Sequence, residues 1–137
     1  MRVFLDANSL FSAAKSNGAV RAFLTGLKDD GHKLVADGYV MDEARRNLEI
    51  RFPGAMRDWE SVLADVEASA KTSGSPGRHL ALDLPEKDWP VLAAAIQLRC
   101  HVLFTGDKSH FGSLYGQTIE GVEIHWPASL AEKLGKR

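Results

Sequence analysis

The chain has 137 residues, 45% of them hydrophobic and 26% charged, which suits one compact domain with its own core over residues 1–137. A net charge of −1 makes no case for bulk attraction to nucleic acid, although a local basic patch would suffice. The longest apolar stretch, Val91 to Ile96, is too short to cross a bilayer, and Asp6 interrupts the apolar N-terminus too early for a signal peptide. Cys100 is the only cysteine, so no intrachain disulfide can form. The expectation is a cytoplasmic protein without a membrane partner, with Cys100 packed as a small hydrophobe.

Residues 2–5 read as a short buried strand that ends at Asp6. Val20, Phe23, Leu24 and Leu27 recur at the spacing of an amphipathic helix, which Gly31 stops. Lys33 to Ala36 reads as a second strand. Asp37 can then cap a helix from about Tyr39 to Phe52, broken by Pro53-Gly54. Trp59, Val62, Leu63 and Val66 repeat the helical spacing and predict a helix over roughly 55–71. Residues 72–77 form a loop by composition, and 79–82 read as a brief strand.

Asp88-Trp89-Pro90 resembles a helix start, with Asp at the cap and proline in the first turn, where its missing N–H costs nothing. That helix runs through Leu98. Val102 to Phe104 reads as a buried strand and 108–115 as a short helical stretch. Val122 to His125 reads as a last strand, and Pro127 opens a C-terminal helix. Strands alternating with helices predict an α/β protein, a three-layer α/β/α sandwich around a parallel sheet of four to five strands.

Four acids stand out by position. Asp6 and Asp107 each follow a buried strand, Glu43 lies one turn into a helix, and Asp88 stands at a helix start. Open α/β sheets place their chemistry at the carboxyl ends of the strands. Hard divalent cations such as Mg²⁺ and Mn²⁺ take oxygen ligands, and two such ions can activate water and stabilise a leaving oxygen in phosphodiester hydrolysis. Each acid also has a plain reading. Asp6, Asp88 and Asp107 can cap helices, and Glu43 can be one more solvated charge. Asn8 and Thr105 can support the acids or satisfy turn backbone. Lys108, His110 and Arg46 are candidate phosphate contacts, or simply surface.

In chain order, four segments carry these acids: Val3-Phe4-Leu5-Asp6-Ala7-Asn8, Asp37 to Leu48 with Glu43, Asp88 to Ala95, and Val102 to Phe111 with Thr105-Gly106-Asp107. Together they resemble the PIN-domain nucleases, and the size is similar to that of single-domain VapC-type toxins. The resemblance implies that Asp6, Glu43, Asp88 and Asp107 form the family's acidic metal-binding quartet for Mg²⁺ or Mn²⁺, with Glu86 as an alternative register for Asp88. It implies RNA as substrate, a product 5′-phosphate and 3′-hydroxyl, and an antitoxin partner. Phe52, Met56 and Trp59 offer an apolar helical surface for that partner or for a homodimer, unless they fill the domain's own core.

Rival assignments fail on residues. A haloacid-dehalogenase-type phosphatase expects an acid where Asn8 stands and another soon after Gly106-Asp107. A response-regulator receiver expects a paired acid after the first strand. No Walker A sequence is present, and the five scattered histidines lack zinc-site spacing. A non-catalytic PIN-like module that binds RNA or protein is the alternative function.

Overall fold

The computed structural model describes residues 1–70 and 84–135. The first strand, β1 (Arg2–Leu5), carries Val3, Phe4 and Leu5 with no solvent exposure at all, as a central strand covered on both faces requires. Helix α1 (Ala7–Lys15) follows directly, capped by the Asp6 side chain, which accepts a hydrogen bond from the Ser9 amide. This helix was not expected from the sequence: Ala7, Ser9, Leu10, Phe11, Ala13 and Ala14 are buried, and only the narrow stripe of Asn8, Ser12 and Lys15 faces outward. Next come α2 (Ala19–Asp29), β2 (Lys33–Asp37) and α3 (Gly38–Arg51), close to their expected bounds. Asp37 caps α3 as expected, its Oδ1 accepting from the Val40 amide at 3.2 Å.

The segment read as one helix over 55–71 divides. Helix α4 (Met56–Ala64) is followed at once by a strand, β3 (Val66–Ser69), paired parallel to β2. Val66 fits the helical repeat of Trp59, Val62 and Leu63, but the edge of the sheet recruits its backbone instead. β3 is only partly covered, so it carries no alternation strong enough to be read as a strand. The brief strand read at 79–82 lies outside the described residues.

A 3₁₀ turn, Glu86–Asp88, leads into α5 (Trp89–Gln97). Then come β4 (Val102–Phe104), α6 (Lys108–Phe111) with a 3₁₀ turn at Gly112–Leu114, β5 (Thr118–Ile119), β6 (Val122–His125) and α7 (Pro127–Lys133). The sheet therefore has five parallel strands, as expected, and a sixth besides. β5 is the unexpected outer one, joined antiparallel to β6 through Glu120 (φ 50°) and Gly121 (φ 86°). Two consecutive positive φ values make the tight turn that matches strand twist.

The strand order is β3-β2-β1-β4-β6-β5, with β3 through β6 parallel. The chain builds outward from β1 to β3, then returns to the other side of β1 for β4. Right-handed crossovers place the helices of the outward leg on one face, where α1 packs against α2, α3 and α4, and send α5 to the other. The result is an α/β/α sandwich with a topological switch point between β1 and β4. One cluster of buried residues fills the core, Phe4, Leu10, Leu48, Leu92, Leu103 and Phe104 among them. Each such side chain contributes about 1.5–3 kcal/mol by leaving water. Among the described residues no helix is long and apolar enough to cross a membrane.

Candidate acidic site at the switch point

The register Leu5↔Phe104 sets the next residue of each strand side by side, Asp6 beside Thr105. Both are buried, and the Thr105 hydroxyl donates a short hydrogen bond to Asp6 Oδ2 while Asp6 Oδ1 accepts from the Ser9 amide at 2.8 Å. Burial outweighs these two bonds. The Asp6 carboxyl is pushed from an ordinary 3.8 up to about 6, with the nearby Asp107 charge adding to the rise. Thr105 works in both directions, because its Oγ1 also accepts the Asp107 amide at 3.0 Å. One buried hydroxyl thus links the acids that end β1 and β4.

Asp107 caps α6 as well as facing the site. Its Oδ1 accepts from the Ser109 hydroxyl at 2.8 Å and from the His110 amide at 3.3 Å. Its Oδ2 lies 2.8 Å from His110 Nδ1, and the same nitrogen lies 3.0 Å from Asp88 Oδ2. One ring nitrogen can donate only one proton, so it cannot satisfy both carboxylates. Asp88 Oδ2 is left buried with no hydrogen-bond partner among the described residues. A cationic or proton-bearing nitrogen between two carboxylates stands where repulsion would otherwise be largest.

Asp88 does not cap α5. The helix start is as expected, with Pro90 in its first turn, but the Asp88 side chain makes no capping bond and turns toward His110. Its carboxyl is raised by burial, pulled back by His110 and Lys87, and raised again by Asp107 and Glu43. The 3₁₀ turn that carries Asp88 is held from outside, since the Tyr39 hydroxyl donates to the Lys87 carbonyl at 2.7 Å and the Trp89 indole donates to the Leu84 carbonyl at 3.0 Å.

Glu43 is exposed on α3 and, of the other three acids, shares with Asp107 a cleft of about 320 Å³. Asn8, Asp107, Asn47, Lys15 and Arg51 also line that cleft. The Asn8 Oδ1 lies 3.5 Å from where a Gly106 side chain would begin, an ordinary van der Waals contact that sets Asn8 beside the end of β4. The structure therefore links Asp88 to Asp107 through His110 and Asp6 to the Asp107 backbone through Thr105, with Asn8 and Glu43 beside Asp107 in the cleft. His110 lies at the centre. Lys108 is exposed with its stem beside Gly112, and Arg46 is exposed on α3 without lining the cleft.

Sequence reasoning did not single out Ser9, Ser109, Asn47, Lys15 or Arg51. Local spacing could have found several of them. Ser9 is three residues past Asp6, Ser109 two past Asp107, and Asn47 and Arg51 follow Glu43 by four and eight on one helix face.

The donor set is hard oxygen, which suits Mg²⁺ or Mn²⁺. The orphaned Asp88 oxygen and the convergence of two carboxylates on one point fit a cation there. As they stand, no three His, Cys, Asp or Glu side chains among the described residues form a group that could hold a metal, and His110 lies between the two acids.

A mainly parallel α/β/α sheet with acids at the ends of β1 and β4 is the PIN-like fold, and three solved structures share it. A chain from the VapBC2 complex of Rickettsia felis, bound to a promoter DNA fragment, matches with a TM-score of 0.69 at 13% identity, over 92% of this chain and 98% of its own. A chain of VapBC-1 from nontypeable Haemophilus influenzae matches at 0.58 and 14% identity, over 93% and 99%. VapC20 of Mycobacterium tuberculosis, a sarcin-ricin loop cleaving toxin, matches at 0.51 and 18% identity, over 78% and 92%. No protein-family model and no curated protein matches the sequence. The expected resemblance to VapC-type PIN domains thus holds at the level of fold.

Proposed function

We propose that this protein is a metal-dependent endoribonuclease of the VapC type, the toxin of a toxin–antitoxin pair. The observation that carries the proposal is the meeting of Asp88 and Asp107 on His110 at the switch between β1 and β4, with Asp6 joined to the Asp107 backbone through Thr105. Mg²⁺ or Mn²⁺ would be held by Asp6, Asp88 and Asp107, with Glu43 across the cleft completing the set. Bound there, the ion would supply Lewis acidity and a water of lowered pKa.

The chain's own residues do the rest. Thr105 and Ser9 fix the rotamer of Asp6, and Ser109 and the α6 amides fix Asp107. Asn8 and Asn47 offer neutral hydrogen bonds to a sugar–phosphate chain in the cleft. His110 must leave its position between the acids before a cation can take that place. Because two of the neighbours are VapBC complexes, a VapB-like antitoxin is the proposed partner; a homodimer is a further possibility that gel filtration resolves.

The test is single-turnover cleavage of RNA, including a sarcin-ricin loop hairpin, with Mn²⁺. Wild type should cut and Asp6→Asn should not. Equal cutting by both, or full cutting in EDTA, overturns the mechanism. Growth arrest on induction, lost in Asp107→Asn, is the expected result for a toxin, and unaffected growth counts against that role.

A further inference from the structure

The cleft is chemically polar from end to end. Asp107 and Glu43 stand at its inner part, while Lys15 and Arg51 stand at the far ends of α1 and α3. From Asn8 to Lys15 and from Glu43 to Arg51 is about 10–12 Å at the helical rise. Neither Lys15 nor Arg51 forms an ion pair among the described residues. Both instead lie over two phenyl rings. Arg51 Cζ is 4.9 Å from the Phe11 ring centroid and 5.7 Å from that of Phe52, and Lys15 Nζ is 5.5 Å and 6.0 Å away. The two rings meet each other at 5.8 Å, tilted by 54°.

The rings are not equivalent. Phe11 is buried, whereas Phe52, just past the end of α3, is 40% exposed. The apolar surface expected of Phe52, Met56 and Trp59 breaks up in the same way, since Trp59 is buried in the core and Met56 packs against it. Of these three only Phe52 is exposed, with Lys15 and Arg51 over its ring. A partly exposed ring beside cations that lack carboxylate partners suits a ligand with alternating planar and anionic groups. Single-stranded nucleic acid has that alternation, and a base can stack on such a ring only when it is unpaired.

We infer that Phe52, Lys15 and Arg51 form a subsite for an unpaired ribonucleotide, holding a base on Phe52 and backbone phosphate on the two cations. This rests on the nuclease reading of the cleft and deepens it. The strand enters at the basic end and delivers a phosphate to the acidic end. Phe52 is a positioning residue for the substrate, away from the reacting atoms. Charge also supplies direction, because the acidic end repels RNA phosphate until it is neutralised while the basic end attracts it.

The test is fluorescence anisotropy of a labelled single-stranded RNA oligonucleotide and of the matching duplex, in EDTA at several salt concentrations. Phe52→Ala should weaken single-strand binding about tenfold with an unchanged salt slope. Phe52→Trp should restore it, and thermal melting should show all variants folded. Lys15→Gln with Arg51→Gln should flatten the logarithmic salt slope by about 1.4, the expectation for two phosphate contacts on a single strand. Duplex binding should not respond to Phe52→Ala.

Wild-type affinity in Phe52→Ala, an unchanged slope in the double variant, or no RNA binding at all overturns the inference. The two readings separate in the same experiment. RNA bound through Phe52 but left uncut with Mn²⁺ overturns the nuclease and keeps the subsite. Cutting with Mn²⁺ and indifference to Phe52 does the reverse.

Discussion

Asp6→Asn should make the metal-free protein more stable at neutral pH, although it removes a residue of the proposed site. Asp6 is 4% exposed and its carboxyl is raised from 3.8 to about 6, chiefly by burial. Below about pH 4 the group is protonated in folded and unfolded chains alike. Between about 4 and 6 the unfolded chain loses the proton while the folded chain keeps it, so stability falls as pH rises through that window. Above about 6 the full penalty applies. Two pH units at about 1.4 kcal/mol each make it about 3 kcal/mol.

Asparagine removes the charge and keeps an oxygen for the Ser9 amide, but its amide group then faces Thr105 Oγ1, which already accepts from Asp107. That crowding costs about 1 kcal/mol. The expected net gain is thus about 1–2 kcal/mol at pH 7.5 in EDTA, shrinking toward zero or below at pH 4. Urea denaturation of both proteins at pH 4, 5, 6 and 7.5 measures it, and taking the difference between the two cancels groups such as Asp88 that titrate in both. Added Mn²⁺ should stabilise wild type more than the variant. An Asp6→Asn protein less stable than wild type at pH 7.5, by an amount that does not vary with pH, would refute the reasoning.

Thr105→Val removes the donor to Asp6 and the acceptor of the Asp107 amide at once, and should cost about 1–3 kcal/mol in a chemical melt. His110→Ala removes the nitrogen shared by Asp88 and Asp107, so the metal-free protein should lose stability and calorimetric titration should show tighter Mn²⁺ binding; unchanged affinity would mean that the imidazole does not compete. Cys100 is buried and its thiol is pushed up to about 11 by that burial, so iodoacetamide at pH 7.5 should leave the native protein unmodified and label it after denaturation. Rapid labelling of the native state would show that the thiol is open to solvent.

The local features of this protein were legible in its sequence. Asp37 capping α3 spans three residues, as do the Asp6 cap on α1 and the Asp107 cap on α6, so nearest-neighbour chemistry decides them. The apolar runs of β1, β2, β4 and β6 declare themselves because both faces are buried. Where the outward stripe was narrow, as on α1, or burial slight, as along β3, the periodic signal was weak and the reading failed. Proximity across the chain was the other thing hidden. Thr105 meets Asp6 across 99 positions because two strands happen to be adjacent in register, and His110 meets Asp88 across a helix and a strand. Asp88 looked like a cap and is none, since the nearby imidazole draws its carboxylate more strongly than the α5 amides do. Strand order, and with it the switch point between β1 and β4, depends on which buried surfaces pack together over the whole chain. The sequence by itself determined which acids were available; only the tertiary structure decided that His110 bridges Asp88 and Asp107, that Thr105 ties Asp6 to the Asp107 backbone, and that Lys15 and Arg51 line the cleft that runs on from Asp107.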